Sequence, residues 1–310
     1  MWNDLVNRYH FLDHIIETDL VIPELSATIT DVSPSVTISA GAPGVKYEEE
    51  VHVWMNEDVP EMSCDRHDHW YRLVLTGEVV THIDTRNLRI LYETGDGVDL
   101  PTLRHFLIDQ ALPRLIGHGG SLVLHGGCIS NGAACVVLLG ETGVGKSTLC
   151  ASFLNDGWAV MSDDCLLVEP GEVPLVRGAY SGIRLYPETL SSLAMQDYET
   201  SPMAVYSDKK RICTPDDVEP GSLPLNLVVS LREGDSISID RLSGSAAVME
   251  LVSGSFSLAP RDSALAVSRV KRYAEIVDHR LPVFSCRYPR DFLQLAAVKK
   301  SILDTLGSIG

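Results

Sequence analysis

One eight-residue segment constrains the fold of this 310-residue chain more than any other. Residues 140–147 read GETGVGKS and fit the pattern G-x-x-x-x-G-K-[ST] at every position. Glycines let the backbone curl so that successive N–H groups face one phosphate chain, and the next helix presents its N-terminus to the same anion. The segment therefore predicts a strand at residues 136–139, a phosphate-binding loop and a helix over about 146–155, which is an α/β arrangement.

This loop defines the predicted nucleotide site. The Lys146 amine is expected at the β- and γ-phosphates, and the Ser147 hydroxyl is expected to ligate Mg²⁺. A GTPase is disfavoured, because the chain contains no N-K-x-D or T-K-x-D motif for reading guanine. The residues assigned to the site are Gly140, Glu141, Thr142, Gly143, Val144, Gly145, Lys146, Ser147 and Thr148.

A second motif follows the predicted helix. Residues 158–164 read WAVMSDD, an apolar strand that ends in two acids, and Asp163 comes only 17 residues after Lys146. Such a strand places a carboxylate beside the metal in phosphoryl-transfer sites. Two adjacent acids, Asp163 and Asp164, allow one group to act on the metal and the other as a base. The alternative is a solvated turn after a strand.

A third candidate precedes the loop. His125 is followed by Gly126 and Gly127, and a strand that starts there is expected beside the strand of the phosphate-binding loop. The His125 ring is predicted to reach the Asp163 carboxylate and to tune or hold it. The alternative is an ordinary structural histidine in apolar surroundings.

Composition excludes several partners. The net charge of −17 makes nucleic acid and anionic membranes unfavourable partners, since a phosphate-neutralising groove carries excess Lys and Arg. No run of 18 apolar residues and no secretory signal is found, so a cytoplasmic protein is expected. The seven cysteines form no C-x-x-C pair and are predicted to be reduced and buried.

The pattern of apolar residues changes near residue 117. Alternating apolar positions around residues 71–75, 79–83 and 88–92 predict an antiparallel meander in a smaller β-rich domain over residues 1–116. A helix over about 103–115, with a kink at Pro113, closes that domain. Residues 117–310 are predicted to form a mixed α/β domain, in which residues 189–223 are a polar excursion with little core.

The three motifs together resemble one known family. The sequence HGG at 125–127, the segment LLGETGVGKS at 138–147 and SDD at 162–164 resemble the catalytic domain of HPr serine kinase/phosphorylase. The similarity is closest in character to stand-alone HPr-kinase-like proteins, some of which phosphorylate a serine of natural-product precursor peptides such as lasso peptides. The specific match covers about residues 121–168, and a weaker similarity extends to residues 287–292.

The resemblance implies a fold and residue roles. The fold would be a P-loop kinase domain with a mixed sheet, related to phosphoenolpyruvate carboxykinase. Asp163 would be the general base for a serine hydroxyl, Asp164 would support the metal or the base, and His125 would pair with the catalytic acid. The signature Glu-Ile-Arg-Gly-Leu-Gly of the family has its nearest counterpart at residues 180–185, which keep Arg184 but lack the Glu.

Basic residues after the catalytic strand are candidate contacts for phosphate or acceptor. A mobile basic loop over the transferring phosphoryl group would neutralise its charge. A solvated charge run is the alternative. The candidates are Arg184, Lys209, Lys210 and Arg211. Residues 64–69 have a metal-like composition, but we expect them to form an exposed loop.

The sequence therefore predicts a kinase that transfers the γ-phosphoryl group of ATP to a serine of a peptide or small protein, which includes ribosomal natural-product precursors. The β-rich domain would dock the acceptor or a partner subunit, and an oligomer is compatible with the chain. Two alternatives are a nucleotide-dependent ATPase switch that acts by partner binding and a kinase of a small hydroxyl metabolite such as free serine.

Overall fold

The computed structural model describes residues 6–56, 59–212, 221–278 and 281–309. The chain divides into two compact units. The first contains Met1–Ser121, Pro202–Lys209 and Phe256–Ala266, and the second contains Leu122–Ser201, Lys210–Ser255 and Val267–Gly310. The assignment of docking to residues 1–116 and of catalysis to residues 117–310 stays a prediction.

The first unit is built on an eight-stranded sheet. Its strands are β1 (Asn7–Phe11), β2 (His14–Thr18), β3 (Val36–Ala40), β4 (Glu49–Asn56), β5 (Val59–His67), β6 (Trp70–Leu75), β7 (Val79–Asp84) and β8 (Arg89–Thr94). Their order is β1-β2-β3-β8-β7-β6-β5-β4. The meander β6–β7–β8 is antiparallel throughout, as the alternating pattern predicts.

The helix of this unit departs from the predicted regular helix. It comprises α1 (Leu100–Phe106), a π-helical turn (Leu107–Ala111) and α2 (Leu112–His118). Asp99 caps α1 by accepting a hydrogen bond from the Thr102 backbone N–H at 2.8 Å. Pro113 lacks a backbone N–H, and the helix widens immediately before it. The apolar face predicted from the sequence is buried.

The remaining elements follow in chain order. They are β9 (Leu122–Leu124), β10 (Gly127–Ser130), β11 (Cys135–Leu139), α3 (Lys146–Leu154), β12 (Ala159–Ser162), β13 (Leu166–Glu169), β14 (Leu175–Gly178), β15 (Ile183–Leu185), α4 (Pro187–Ser192), β16 (Thr200–Ala204), β17 (Ser207–Ile212), β18 (Leu223–Pro224), β19 (Leu227–Glu233), β20 (Ser238–Leu242), α5 (Gly244–Ser253), α6 (Ser263–Asp278), β21 (Val283–Tyr288), a 3₁₀ turn (Phe292–Gln294) and α7 (Leu295–Ser308).

A mixed six-stranded sheet organises the second unit, as the sequence predicts. Its order is β12-β10-β11-β19-β21-β20. Strand β10 is antiparallel to both β11 and β12, so β11 and β12 run in the same direction on either side of it. The loop after β11 and the acids after β12 therefore emerge at the same edge of the sheet. Further sheets have the orders β18-β14-β13-β9 and β15-β17-β16.

Both faces of this sheet are covered by apolar side chains. Val136 and Leu138 of β11 pack into one buried cluster with Leu149 and Phe153 of α3. The alternate residues of β11 pack into a second buried cluster on the opposite face. Two-sided burial explains why β11 reads as a continuous apolar run.

The sequence predicts reduced, buried cysteines and no membrane-spanning helix. Six cysteines are buried and free of disulfides there, and Cys213 lies outside the described residues. None of the described helices is long and apolar enough to cross a bilayer.

Two predicted loops are wrong. The stretch 189–223 contributes α4, β16 and β17, and it places the fully buried Met195 and Ile212 in the core. Strand β17 reads SDKKRI and lacks the alternation of apolar and polar residues that indicates a strand, so its core contribution was hidden in a polar sequence. Residues 64–67 belong to β5 rather than to an exposed loop, and Cys64 is fully buried. No metal-binding cluster of three His, Cys, Asp or Glu residues occurs in the described ranges.

The close approach of β14 to β12 provides a stability test. A methyl group on Gly178 would overlap the Met161 carbonyl oxygen and lie 3.0 Å from the Ser162 Cβ. We expect Gly178→Ala to lower the free energy of unfolding by about 1–3 kcal/mol, because backbone atoms cannot yield as a flexible side chain does. Urea denaturation measures this change.

The matched control is Gly307→Ala in α7, where a methyl group would meet no heavy atom within 4 Å. This substitution is expected to raise the free energy of unfolding by about 0.5–1 kcal/mol, since glycine is unfavourable inside a helix. Equal stability of the Gly178→Ala variant and the wild type would contradict the close approach.

Candidate functional site

The loop between β11 and α3 has the backbone of a phosphate cradle. Gly140, Gly143 and Gly145 have φ angles of 139°, 83° and 108°, a region that disfavours every residue with a side chain. A Cβ on Gly140 would also lie 2.7 Å from the Leu231 carbonyl oxygen. Glycine is thus required for the loop conformation, and not only for a generic turn.

Lys146 begins α3 and folds back over the loop. Its amine donates hydrogen bonds to the carbonyl oxygens of Gly140 at 2.8 Å and Glu141 at 3.1 Å. The side chain is buried, whereas Glu141, Thr142 and Gly143 at the loop crest are exposed and Ser147 and Thr148 are half-buried. A cation and a helix N-terminus therefore meet at an accessible loop, which favours anion binding.

Tyr288, at the end of β21, contacts the phosphate-binding loop and fixes its position. Its hydroxyl donates a hydrogen bond to the Val144 carbonyl oxygen at 2.6 Å and occupies the space that a Gly145 side chain would need. Burial raises the pKa of Tyr288 to about 12, so the hydroxyl remains a donor at neutral pH. The sequence gives no signal for this role of Tyr288, because 144 residues separate it from its partner.

We expect Tyr288→Phe to weaken nucleotide binding about three- to tenfold with only a small loss of stability. The ring still fills its site, while the lost hydrogen bond is worth about 0.5–1.5 kcal/mol. Titration with a fluorescent ATP analogue measures the affinity. Tyr198→Phe is the matched control, since Tyr198 packs partly buried against the same core cluster. Wild-type affinity of the Tyr288→Phe variant would remove Tyr288 from this positioning role.

Asp163 lies at the end of β12 and is buried. Its Oδ2 atom accepts a hydrogen bond from the Arg184 backbone N–H at 3.0 Å. Its Oδ1 atom has no hydrogen-bond partner among the described residues. A buried carboxylate oxygen without a donor costs free energy, and such atoms are concentrated at functional sites. One oxygen is thus fixed while the other is left for a ligand.

Asp163 Oδ1 is buried next to β10 and α3. A Cβ on Gly127 of β10 would lie 3.9 Å from Asp163 Oδ1 and 2.5 Å from the Cys150 Sγ. Burial, and then the Asp163 carboxylate, raise the pKa of the Cys150 thiol well above its usual value. Cys150 therefore stays a neutral packing group beside the acid.

His125 pairs with Asp164. Its Nε2 atom lies 3.2 Å from Asp164 Oδ1, and the Arg184 guanidinium forms an ion pair with Asp164 Oδ2. The contact of His125 with Asp163 stays a prediction. Asp164 has both oxygens engaged, and Asp163 has one.

The basic candidates do not form a mobile loop. Arg211 and Lys210 lie in β17, where they pair in register with Arg184 and Leu185 of β15. Lys209 lies in the same strand, directly before Lys210. Arg184 also donates to the Tyr180 hydroxyl at 3.3 Å, and the Arg211 guanidinium lies 5.0 Å from the centre of the Tyr180 ring. Nothing in the sequence singled out Tyr180.

Comparisons with known proteins find similarity among solved structures. No protein-family model matches the chain, and no curated protein matches it. A solved structure of the HPr(Ser) kinase/phosphatase from Coxiella burnetii is similar with a TM-score of 0.32 and 12% sequence identity. The match covers 61% of this chain and 99% of that chain.

Proposed function

We propose that this protein is an ATP-dependent kinase that transfers the γ-phosphoryl group to a serine hydroxyl of a peptide or small protein. The observation that carries the proposal is Asp163, a buried carboxylate with one oxygen fixed and the other unpartnered. It lies at the sheet edge from which the phosphate-binding loop also emerges. A base beside a triphosphate is the arrangement that phosphoryl transfer to an alcohol needs.

The residues at this edge fit ATP and Mg²⁺. The three positive-φ glycines, the Lys146 amine and the α3 N-terminus suit a triphosphate. Mg²⁺ commonly takes only one or two carboxylates together with phosphate oxygens and water, so a site of Ser147 with Asp163 or Asp164 needs no larger acidic cluster. When bound, the metal would neutralise charge on the β- and γ-phosphates.

The chain itself supplies positioning and a proton acceptor. In the proposed reaction, Asp163 Oδ1 accepts the proton of the attacking hydroxyl while the Arg184 N–H holds the other oxygen. His125 and the Arg184 guanidinium hold Asp164, which leaves Asp163 as the acid with a vacant lone pair. Lys146 and Arg184 contribute positive charge where the phosphoryl group loosens. Docking of the acceptor or of a partner subunit is assigned to the first unit.

Incubation with γ-labelled ATP and a panel of free serine, serine-containing peptides and small carrier proteins tests the proposal. Label on a serine of a peptide or protein supports it. Label only on free serine would change the acceptor class, and release of labelled phosphate alone would support an ATPase switch.

We expect Asp163→Asn to reduce transfer by about 10²–10⁴-fold, because the proton acceptor is lost while the amide oxygen can still accept from the Arg184 N–H. Nucleotide affinity should remain within about threefold of the wild type, a difference of under 1 kcal/mol. Single-turnover transfer and a binding titration separate the two effects. Asp240→Asn, at an exposed position of β20, is the matched control. Wild-type turnover of Asp163→Asn would remove Asp163 from this role.

Lys146→Ala should instead weaken nucleotide binding and transfer together. The amine contributes charge at the phosphates in both the bound state and the transition state, and mutation of such a residue raises KM as well as lowering kcat. The same two measurements distinguish this pattern from that of Asp163→Asn. Unchanged nucleotide affinity in Lys146→Ala would contradict the assignment of the loop.

A further inference from the structure

Three sulfur atoms of the second unit lie in mutual contact in the core. The Cys128 and Cys135 Sγ atoms are 3.5 Å apart, and the Met161 Sδ atom lies 3.6 Å from the first and 3.2 Å from the second. The three residues come from the adjacent strands β10, β11 and β12, and all of them are buried. We call them the sulfur triad. The proposed phosphoryl transfer uses none of them.

A β-bulge presents the Met161 side chain to the two cysteines. Where β10 pairs with β12, Cys128 lies opposite Ser162 and Ile129 lies opposite Val160, so that Met161 is the extra residue of β12. Bulges re-aim a side chain and are common beside functional sites. A glycine of β14 abuts the Met161 carbonyl oxygen, which holds the bulge in place. The thioether is therefore positioned by the backbone and not only by its own rotamer.

The three sulfur–sulfur distances suit one metal ion. A point equidistant from the three atoms lies about 2.0 Å from each, whereas a bond between zinc and sulfur measures about 2.3 Å. A first-row ion about 1.1 Å outside the sulfur plane would therefore reach all three atoms at bonding distance without moving any of them. The triad is nearly a preformed set of ligands.

The ligand chemistry selects a soft ion. Thiolate and thioether sulfur suit Cu(I), whereas Mg²⁺ takes oxygen ligands. Structural Zn²⁺ sites are four-coordinate, and they use Cys, His, Asp or Glu. Within the described ranges, Cys128 and Cys135 have no third ligand of these four types in a metal-binding group. Two thiols and one thioether thus fit Cu(I) better than Zn²⁺.

We propose that Cys128, Cys135 and Met161 bind one Cu(I) ion. On binding, two bonds form from copper to thiolates and one to the thioether, while the two thiol protons leave to solvent. The centre then carries one net negative charge, whose burial costs less than the metal–thiolate bonds contribute. The exposed turn at residues 131–133 ends shortly before Cys135, and local opening there admits the ion. This proposal does not rest on the proposed kinase function.

Anaerobic titration of the full-length, reduced protein with Cu(I) tests the site, with the chelator bicinchoninate as competitor. We expect the wild type to withdraw one equivalent from the chelator. The affinity of Cys128→Ala and of Met161→Leu should be weaker by about tenfold or more, because each variant loses one sulfur ligand. The matched control is Cys286→Ala, which removes a fully buried thiol of β21 outside the triad and should bind Cu(I) as the wild type does.

Two further measurements identify the ligands. X-ray absorption at the copper edge should show three sulfur neighbours at about 2.3 Å in the wild type and two in Met161→Leu. Cu(I) should also raise the unfolding midpoint of the wild type and of Cys286→Ala more than that of Cys128→Ala, since a ligand of the native state stabilises it. If Cys128→Ala does not fold, Met161→Leu still tests the site, because it conserves side-chain volume.

The outcomes separate this site from the kinase proposal. No withdrawal of Cu(I) from the chelator by the wild type, or equal affinity of the wild type and both triad variants, would overturn the copper site even if label transfer succeeds. Nitrogen or oxygen neighbours in place of sulfur would overturn it as well. Uptake that is weakened in the triad variants and kept in Cys286→Ala would support the site even if no acceptor is ever labelled.

Discussion

The contacts of Arg184 connect the two acids of the proposed site, Asp163 and Asp164, with Tyr180. Its backbone N–H fixes one oxygen of Asp163, its guanidinium pairs with Asp164, and the same guanidinium reaches Tyr180. Strand β15 is only three residues long, so it can be displaced by small changes in its neighbours. Its pairing with β17 and the burial of its apolar residues in the core are what keep these contacts in place.

The geometry of the central sheet explains why two acids and a phosphate-binding loop meet. A returning strand, β10, lies between β11 and β12 and is antiparallel to both. Strands β11 and β12 therefore run in the same direction and end at the same edge of the sheet. That returning strand, β10, must begin beside Asp163, where only a residue without a side chain fits against Cys150. The sequence HGG before β10 is therefore a steric requirement as well as a source of the His125 ring.

Much of this arrangement could be predicted from the sequence, because local rules govern it. The loop glycines, the α3 start and the apolar β11 follow from spacing alone. Contacts between distant residues could not be predicted in the same way. Tyr288 reaches Val144 across 144 residues, and His125 pairs with Asp164 across 39 positions of the chain. The charged residues of β17 also led to the wrong prediction of a polar excursion there, because a strand with one buried face can be mostly polar.

The strongly negative net charge and the buried cations of the site act at different ranges. A net charge of −17 describes the surface, whose field is screened beyond about 8 Å at physiological ionic strength. Lys146, Arg184 and Arg211 are each buried, where screening is weak and local charge decides which ion binds. An acidic protein can therefore repel polyanions at its surface and still bind a small phosphate group within.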